Sequence, residues 1–283
     1  MLSDVVHLLV CPICGQGLET VPGALRCGRG HAFDLARQGY ASLLVGSGTP
    51  GTADTAEMVA ARERFLGAGH YEPLAAELAR ESAGARVVVE AGAGTGYYLA
   101  RALGPEAVGL AFDISKFAIR RAARAHPRAG AVVADVWRPL PIADGVADVV
   151  LDVFAPRNGP EFARILRTGG RLVVVTPGPG HLRPLVEGLG LLSVDQDKEQ
   201  RVARSLREFS LVERRAVEFT MELDADGVTE VVRMGPSAWH MPEATLNARI
   251  SRVFEQETTK KVTTTASFQL SIFQTASRAR VVP

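Results

Sequence analysis

Cys11, Cys14, Cys27 and His31 limit what this chain can fold into more than any other feature. Their spacing is C-x2-C, twelve residues, then C-x3-H, which suits a tetrahedral Zn²⁺ held by two short turns. The sequence contains 3 cysteines and all of them belong to this set, which argues against disulfide chemistry. Gly15 and Gly17 follow the first pair, and Gly28 and Gly30 lie between Cys27 and His31. Such turns let backbone N–H groups point at thiolate sulfurs and steady a metal site. Four protein donors close the coordination sphere, so the zinc is expected to fold a small module and catalyse nothing.

The 283 residues suffice for one large domain beside that module. With 47% hydrophobic and 22% charged residues, the composition is that of an ordinary globular protein. The opening MLSDVVHLLV carries Asp4 and lacks both a basic segment and a small-residue cleavage site, so it does not read as a secretory leader. No apolar run approaches the roughly 18 residues that span a bilayer. Reduced, metal-ready thiols without an export signal predict a cytoplasmic protein with no membrane partner.

Net charge is +1, so overall electrostatics neither require nor exclude a nucleic acid. Two local clusters could meet phosphates or simply be solvated. One comprises Arg120, Arg121, Arg124 and Arg128; the other is the Arg- and Lys-bearing stretch from Arg249 to the C-terminus.

Residues 1–44 form the zinc module in this reading, 45–85 a linker and helices, and 86–283 an α/β domain. VGSGTPGTADT has linker composition. Asp54, three positions before Glu57, is the expected cap of the next helix, and a further helix spans about Glu72–Arg80. From Arg86 onward short apolar runs alternate with helical stretches. Strands are expected at 86–89, 107–112, 131–134, 147–153 and 171–176, the last after the Thr168-Gly169-Gly170 turn. The alternation implies a parallel sheet with helices on both faces. Phe219–Leu223 and Val262–Phe273 are expected to add antiparallel strands at one edge.

Between the first strand and its helix runs Glu90-Ala91-Gly92-Ala93-Gly94-Thr95-Gly96. A dinucleotide fingerprint, G-x-G-x-x-G, would need glycine at position 97, which is Tyr97. The pattern is instead acid-x-G-x-G-x-G. Glu90 would repel a pyrophosphate yet could pair with a cationic ligand such as the aminoacyl end of S-adenosylmethionine. Asp113, at the end of the second strand, suits the two hydroxyls of an adenosine ribose, and Asp135, after the third, could accept from the adenine amino group. The fourth strand leads into Asp152-Val153-Phe154-Ala155-Pro156-Arg157-Asn158, where the transferred group would emerge. There Phe154 offers a π-face for a base, and Asp152 is the candidate to accept a proton or orient the base. A rigid loop, 176–181, could present His181 to the same crevice.

Several longer runs resemble one family. They are the Cys/His set, then Phe33-Asp34, Ala36 and Gly39-Tyr40, then Ala61 to Leu74 (ARERFLGAGHYEPL), Gly96-Tyr97-Tyr98, Ala155-Pro156, and Thr176-Pro177-Gly178-Pro179 with His181-Leu182. Together they look like the RlmA family of 23S rRNA (guanine-N1)-methyltransferases. The run from Arg120 to Arg128, the run from Val153 to Asn158, and Met234-Gly235-Pro236-Ser237 with Trp239-His240 resemble its actinobacterial macrolide-resistance branch, the tylosin and mycinamicin type. The resemblance implies a Rossmann-like class I methyltransferase sheet behind an RNA-recognising zinc module. It also implies methylation of a guanine N1 in hairpin 35 of 23S rRNA, macrolide resistance and a homodimer. Cofactor roles fall by resemblance on Tyr71, Gly92, Gly94, Gly96, Tyr98, Leu99, Asp113 and His181. Glu90-Ala91 departs from the family's usual Asp-Ile. Two other readings are a biosynthetic small-molecule methyltransferase and a non-catalytic zinc RNA-binding protein.

Overall fold

The alternating apolar runs assemble into one eight-stranded sheet in the computed structural model, which describes residues 1–46, 53–190, 204–235, 242–255 and 260–275. Five strands supply its parallel centre: β5 (Val87–Ala91), β6 (Val108–Asp113), β7 (Ala129–Val133), β8 (Ala147–Val153) and β9 (Leu166–Pro177). They were expected from their near-continuous Val, Leu and Ala content, which marks strands buried on both faces. The last two strands, β10 (Phe209–Leu223) and β11 (Val262–Thr275), form a hairpin, and β11 inserts antiparallel between β10 and β9. The order is β10-β11-β9-β8-β5-β6-β7, and β4 (Ala41–Ser42) closes the far edge. The chain reverses its winding between β5 and β8, which places a crevice at their carboxyl ends.

Helices cover both faces, as predicted. On one lie α2 (Ala56–Gly67), α3 (Glu72–Glu81), α4 (Tyr97–Ala102), α5 (Lys116–Ala122), α7 (Arg183–Leu189), α8 (Ala225–Arg233) and α9 (Glu243–Glu255). They pack Phe65, Leu74, Leu78, Ile119 and Val231 against Val88, Ala111, Val149 and Val173 of the strands. The other face meets only α1 (Leu2–Val5) and α6 (Gly159–Ile165) among the named helices, together with the zinc module. That module is a three-stranded antiparallel sheet, β1 (Leu18–Val21), β2 (Ala24–Cys27) and β3 (Ala32–Asp34). Leu2, Val5, Leu8, Leu9 and Leu25 share one buried cluster with Val89, Leu110, Val132 and Val174.

Some expectations change. The N-cap of α2 is Thr55, whose hydroxyl accepts from Met58 N–H; Asp54 is instead paired with Arg62. β9 begins at Leu166, five residues early, and runs through the Gly169-Gly170 pair with a register shift against β8. β10 begins at Phe209, ten residues before the predicted strand. Ala41-Ser42, assigned to the zinc module, pair parallel with Val132-Val133 of β7 and so extend the large sheet.

Candidate active site and metal centre

The zinc donors converge because two tight turns present them. Gly15 and Gly30 have φ of 73° and 85°, a left-handed conformation that glycine adopts without a Cβ penalty. Their N–H groups close the turns on the carbonyls of Cys11 (2.8 Å) and Cys27 (2.9 Å). His31 Nδ1 stands 3.5 Å from Cys11 Sγ and 3.4 Å from Cys27 Sγ, while the Cys14 and Cys27 sulfurs are 3.7 Å apart. A tetrahedron with Zn–S of about 2.3 Å and Zn–N of about 2.0 Å has S···S edges near 3.8 Å and S···N edges near 3.5 Å. The donors therefore fit Zn²⁺, with His31 ligating through Nδ1. Burial opposes ionisation of Cys27, but N–H groups of Arg29 and His31 bring its thiol down to about 6, as a thiolate ligand requires.

At the reversal point a cleft of about 800 Å³ opens over the carboxyl ends of β5, β6, β7 and β8. Tyr71, Glu90, Gly92, Gly94, Tyr98, Asp113, Asp135 and Phe154 all line it. The glycine loop is its floor, and its bends are obligatory. Gly92 has φ of 68°, and a Cβ there would lie 2.5 Å from Ala155 Cβ. Gly96, with φ of 75°, is pressed against Ala122 and does not line the cleft.

Glu90 is 1% exposed. Its Oε2 accepts from Leu99 N–H at 3.0 Å, so Leu99 supports the site through its backbone while its side chain packs in the core. Burial pushes the Glu90 carboxyl up to about 8, and the negative charges of Asp113 and Asp152 add to that. Asp113 accepts from Gly94 N–H (2.9 Å) and Ser115 N–H (2.8 Å); burial raises it despite both bonds. Asp135 accepts from Trp137 N–H at 3.0 Å. Four acids, Asp54, Glu90, Asp113 and Asp135, thus face the cleft. Arg62 is the only cation among the described lining residues, and Asp54 already engages it. A cavity with this excess of carboxylate stabilises a cation and disfavours phosphate.

Asp152 and His181 lie elsewhere than the sequence suggested. Asp152 is fully buried and does not line the cleft. It pairs in register with Ala91 and Val174, whose side chains lie on the zinc-module face of the sheet, opposite to Glu90's neighbours Val88 and Leu151. Its nearest cation is Arg157 Nε at 3.7 Å. Burial pushes its carboxyl up to about 8 even though Arg157 opposes this. A carboxyl turned to that face is not placed to take a proton from a base in the cleft. His181 stands behind Tyr71. Its Nδ1 accepts from Ser267 N–H at 3.3 Å, which leaves Nε2 to donate to Tyr71 Oη, also at 3.3 Å. It does not line the cleft itself and supports it through Tyr71 and through Phe268, whose ring lies 4.8 Å away.

Phe154 is where the sequence expected it, at the cleft mouth, and its backbone is strained: φ is 59° and the ring is 42% exposed. A bulky residue in that region is rare and marks functional loops. Phe268 (5.4 Å) and Tyr98 (6.5 Å) brace its ring from within. Among the lining residues that the sequence left unassigned are Arg62 and Trp137. Arg62 lies within the Ala61–Leu74 run quoted above, which was the available signal; Trp137 follows Asp135 by two positions and had none. Of the first basic cluster, Arg121 pairs with Glu63 (2.8 Å) and Arg128 bonds the carbonyls of Ala107 and Gly104, leaving Arg120 and Arg124 exposed. Trp239-His240 and the basic residues after 275 lie outside the described residues.

Comparison with known proteins agrees with this architecture. Residues 9–45 match the zinc-ribbon family described as RlmA, N-terminal. The chain is 50% identical to the 23S rRNA (guanine(748)-N(1))-methyltransferase of Streptomyces fradiae, over 89% of this chain and 93% of that protein. It is 49% identical to a provisionally named 23S rRNA (guanine-N(1)-)-methyltransferase of Micromonospora griseorubida, over 97% and 99%. Identity to the similarly named YxjB of Bacillus subtilis (strain 168) is 32%, over 82% and 87%.

Proposed function

The chain belongs to the RlmA family of 23S rRNA (guanine-N1)-methyltransferases, and from that premise we propose that it methylates N1 of one guanine in 23S rRNA using S-adenosylmethionine bound in the acid-lined cleft. The observation that carries the cofactor is the acid lining of that cleft: beyond the Asp54–Arg62 pair, the carboxyl groups of Glu90, Asp113 and Asp135 face it, and no second cation does among the described lining residues. When bound, S-adenosylmethionine supplies a methyl group on a positively charged sulfur. Glu90 holds the ammonium end, the Gly92–Gly96 loop lets the backbone approach closely, Asp113 takes the ribose hydroxyls and Asp135 the adenine amino group. Tyr71, kept in place by His181, and Tyr98 wall the donor. Phe154 stacks the incoming base. Holding donor and acceptor in line would be the main catalytic contribution; transfer of the methyl from sulfur to N1 would leave a neutral thioether, and the N1 proton would pass to solvent at the open mouth of the cleft.

A base inside a helix is unreachable, and unstacking costs least in a loop, which favours a hairpin substrate. The finer reading is a guanine in hairpin 35, acted on by a cytoplasmic homodimer whose zinc modules grip the RNA, with macrolide resistance as the consequence. Among the described residues no helix is long and apolar enough to cross a membrane.

The test is to incubate 23S rRNA with labelled cofactor and map reverse-transcription stops, because a methyl on N1 blocks pairing. Label in the RNA with a single stop at a hairpin 35 guanine is the expected result. Label confined to small molecules would overturn the proposal.

A further inference from the structure

Trp137 projects from the cleft mouth with 65% of its surface exposed, which is unusual for an indole, since burying one is strongly favourable. Its backbone is held on every side. Arg138 N–H bonds the Asp135 carbonyl and Trp137 N–H bonds Asp135 Oδ1, both at 3.0 Å. The Asn158 amide reaches across from the loop after β8 to the carbonyls of Val136 (2.8 Å) and Arg138 (3.4 Å). Beyond the turn, Glu161 accepts from Leu140 N–H at 2.6 Å, and Arg164 donates to the carbonyls of Leu140 (2.9 Å) and Ile142 (2.7 Å).

An exposed ring on so fixed a support is presented to a ligand, and Phe154, the other exposed ring at this mouth, stands on the very loop that Asn158 ties to the turn. We propose that Trp137 is a stacking platform for an unpaired nucleobase of the RNA, forming with Phe154 a two-ring nucleobase site whose spacing Asn158 sets. The inference rests on the methyltransferase reading above and adds to it the second ring and its positioning residue. Flat heterocycles stack on such rings whatever their sequence. The cofactor's adenine is the other flat group nearby, but Val136 is buried and the Asp135 side chain is only 14% exposed, whereas the indole stands out into solvent beyond them.

The experiment compares wild type, Trp137→Ala and Trp137→Phe on an RNA fragment spanning hairpin 35. It reads methylation kinetics, cofactor affinity by calorimetry and tryptophan fluorescence. The expected result is a KM for RNA raised about tenfold or more in Trp137→Ala and restored to within about threefold in Trp137→Phe, with cofactor affinity within about twofold in both. RNA, but not cofactor alone, should quench an emission component that Trp137→Phe lacks. Weakened cofactor binding with an unchanged KM for RNA would place the ring on adenine and overturn the proposal, as would an active wild type matched by Trp137→Ala in every readout. Failure of the wild type itself to methylate 23S rRNA would instead sink the functional reading, and this inference with it.

Discussion

Glu90 combines near-complete burial with an ordinary backbone hydrogen bond, so the fold favours its neutral form until a cation arrives. With the carboxyl near 8 in the free protein, binding an ammonium group requires losing a proton. Cofactor affinity is therefore expected to strengthen by close to tenfold per pH unit up to about 8 and to fall above it, where the ligand's own α-amino group, ordinarily near 8, loses its proton. Glu90→Gln should abolish the rise below pH 8 and weaken binding about 10- to 100-fold, the worth of a charged hydrogen bond of about 1.5–3 kcal/mol. Calorimetric titrations from pH 6 to 9 check both, and a flat wild-type profile would remove Glu90 from the ammonium site. Asp152 calls for the opposite expectation. Its carboxyl, also near 8, is neutral at pH 7, so Asp152→Asn should leave turnover within about twofold. A folded-state pKa above the unfolded value means stability is greatest below pH 4 and falls as pH rises towards 8. Asp152→Asn should remove that share of the fall, so urea midpoints of mutant and wild type should diverge across that window in the mutant's favour. Glu90, Asp113, Asp135 and the glycines were legible in the sequence because they cluster at the carboxyl ends of apolar runs or in the loop that opens a helix. The direction of Asp152 was not, since one position along β8 moves a side chain to the other face.

At the scale of elements, α1 does more than its four residues suggest. No named helix occupies the connection from β7 to β8, so this part of the face is covered by the N-terminal segment, with Leu2 and Val5 pressed onto Gly130 near the start of β7. A Cβ at Gly130 would collide with Val5 Cγ2 and come within 3.2 Å of the Leu2 backbone. Gly130→Ala should therefore cost about 1–3 kcal/mol, the usual range for overpacking, measured by urea unfolding, and should leave cofactor affinity unchanged because neither element lines the cleft. The central strands could be read from composition, whereas β4 has two residues and carries no periodicity. The start of β10, SLVERRAVE, places charges on both faces, and residues 210–214 are all exposed. Edge strands of this kind look like loops because only their backbone, paired with β11, makes them strands.

For the whole molecule, the zinc module and the catalytic sheet share one core. Cys11 and Cys27 belong to the same buried cluster as Leu110, Phe112 and Val150, and Leu9 makes a β-bridge to Ile142 beside the β7–β8 connection. The division into a zinc module at 1–44 and a linker with helices at 45–85 carries no information on this coupling, because sequence spacing shows the ligands of a metal but not what the folded knuckle leans on. Losing the metal leaves thiolates crowded without a counter-charge and loosens the turns that hold Leu18 and Leu25 against that core. Stripping zinc with a chelator, or Cys27→Ser, is accordingly expected to lower the melting temperature of the entire chain in one transition. Two separate transitions would show the module to be autonomous. Among the described residues none before Asp54 lines the cleft, so below the new melting point cofactor affinity should stay within about threefold of wild type. Methylation of RNA should fall far more if, as proposed, the zinc module grips the RNA. Calorimetric melting, cofactor titration and rRNA methylation on the same stripped sample separate these effects. Equal loss of cofactor binding and RNA methylation would mean that the metal supports the cleft itself.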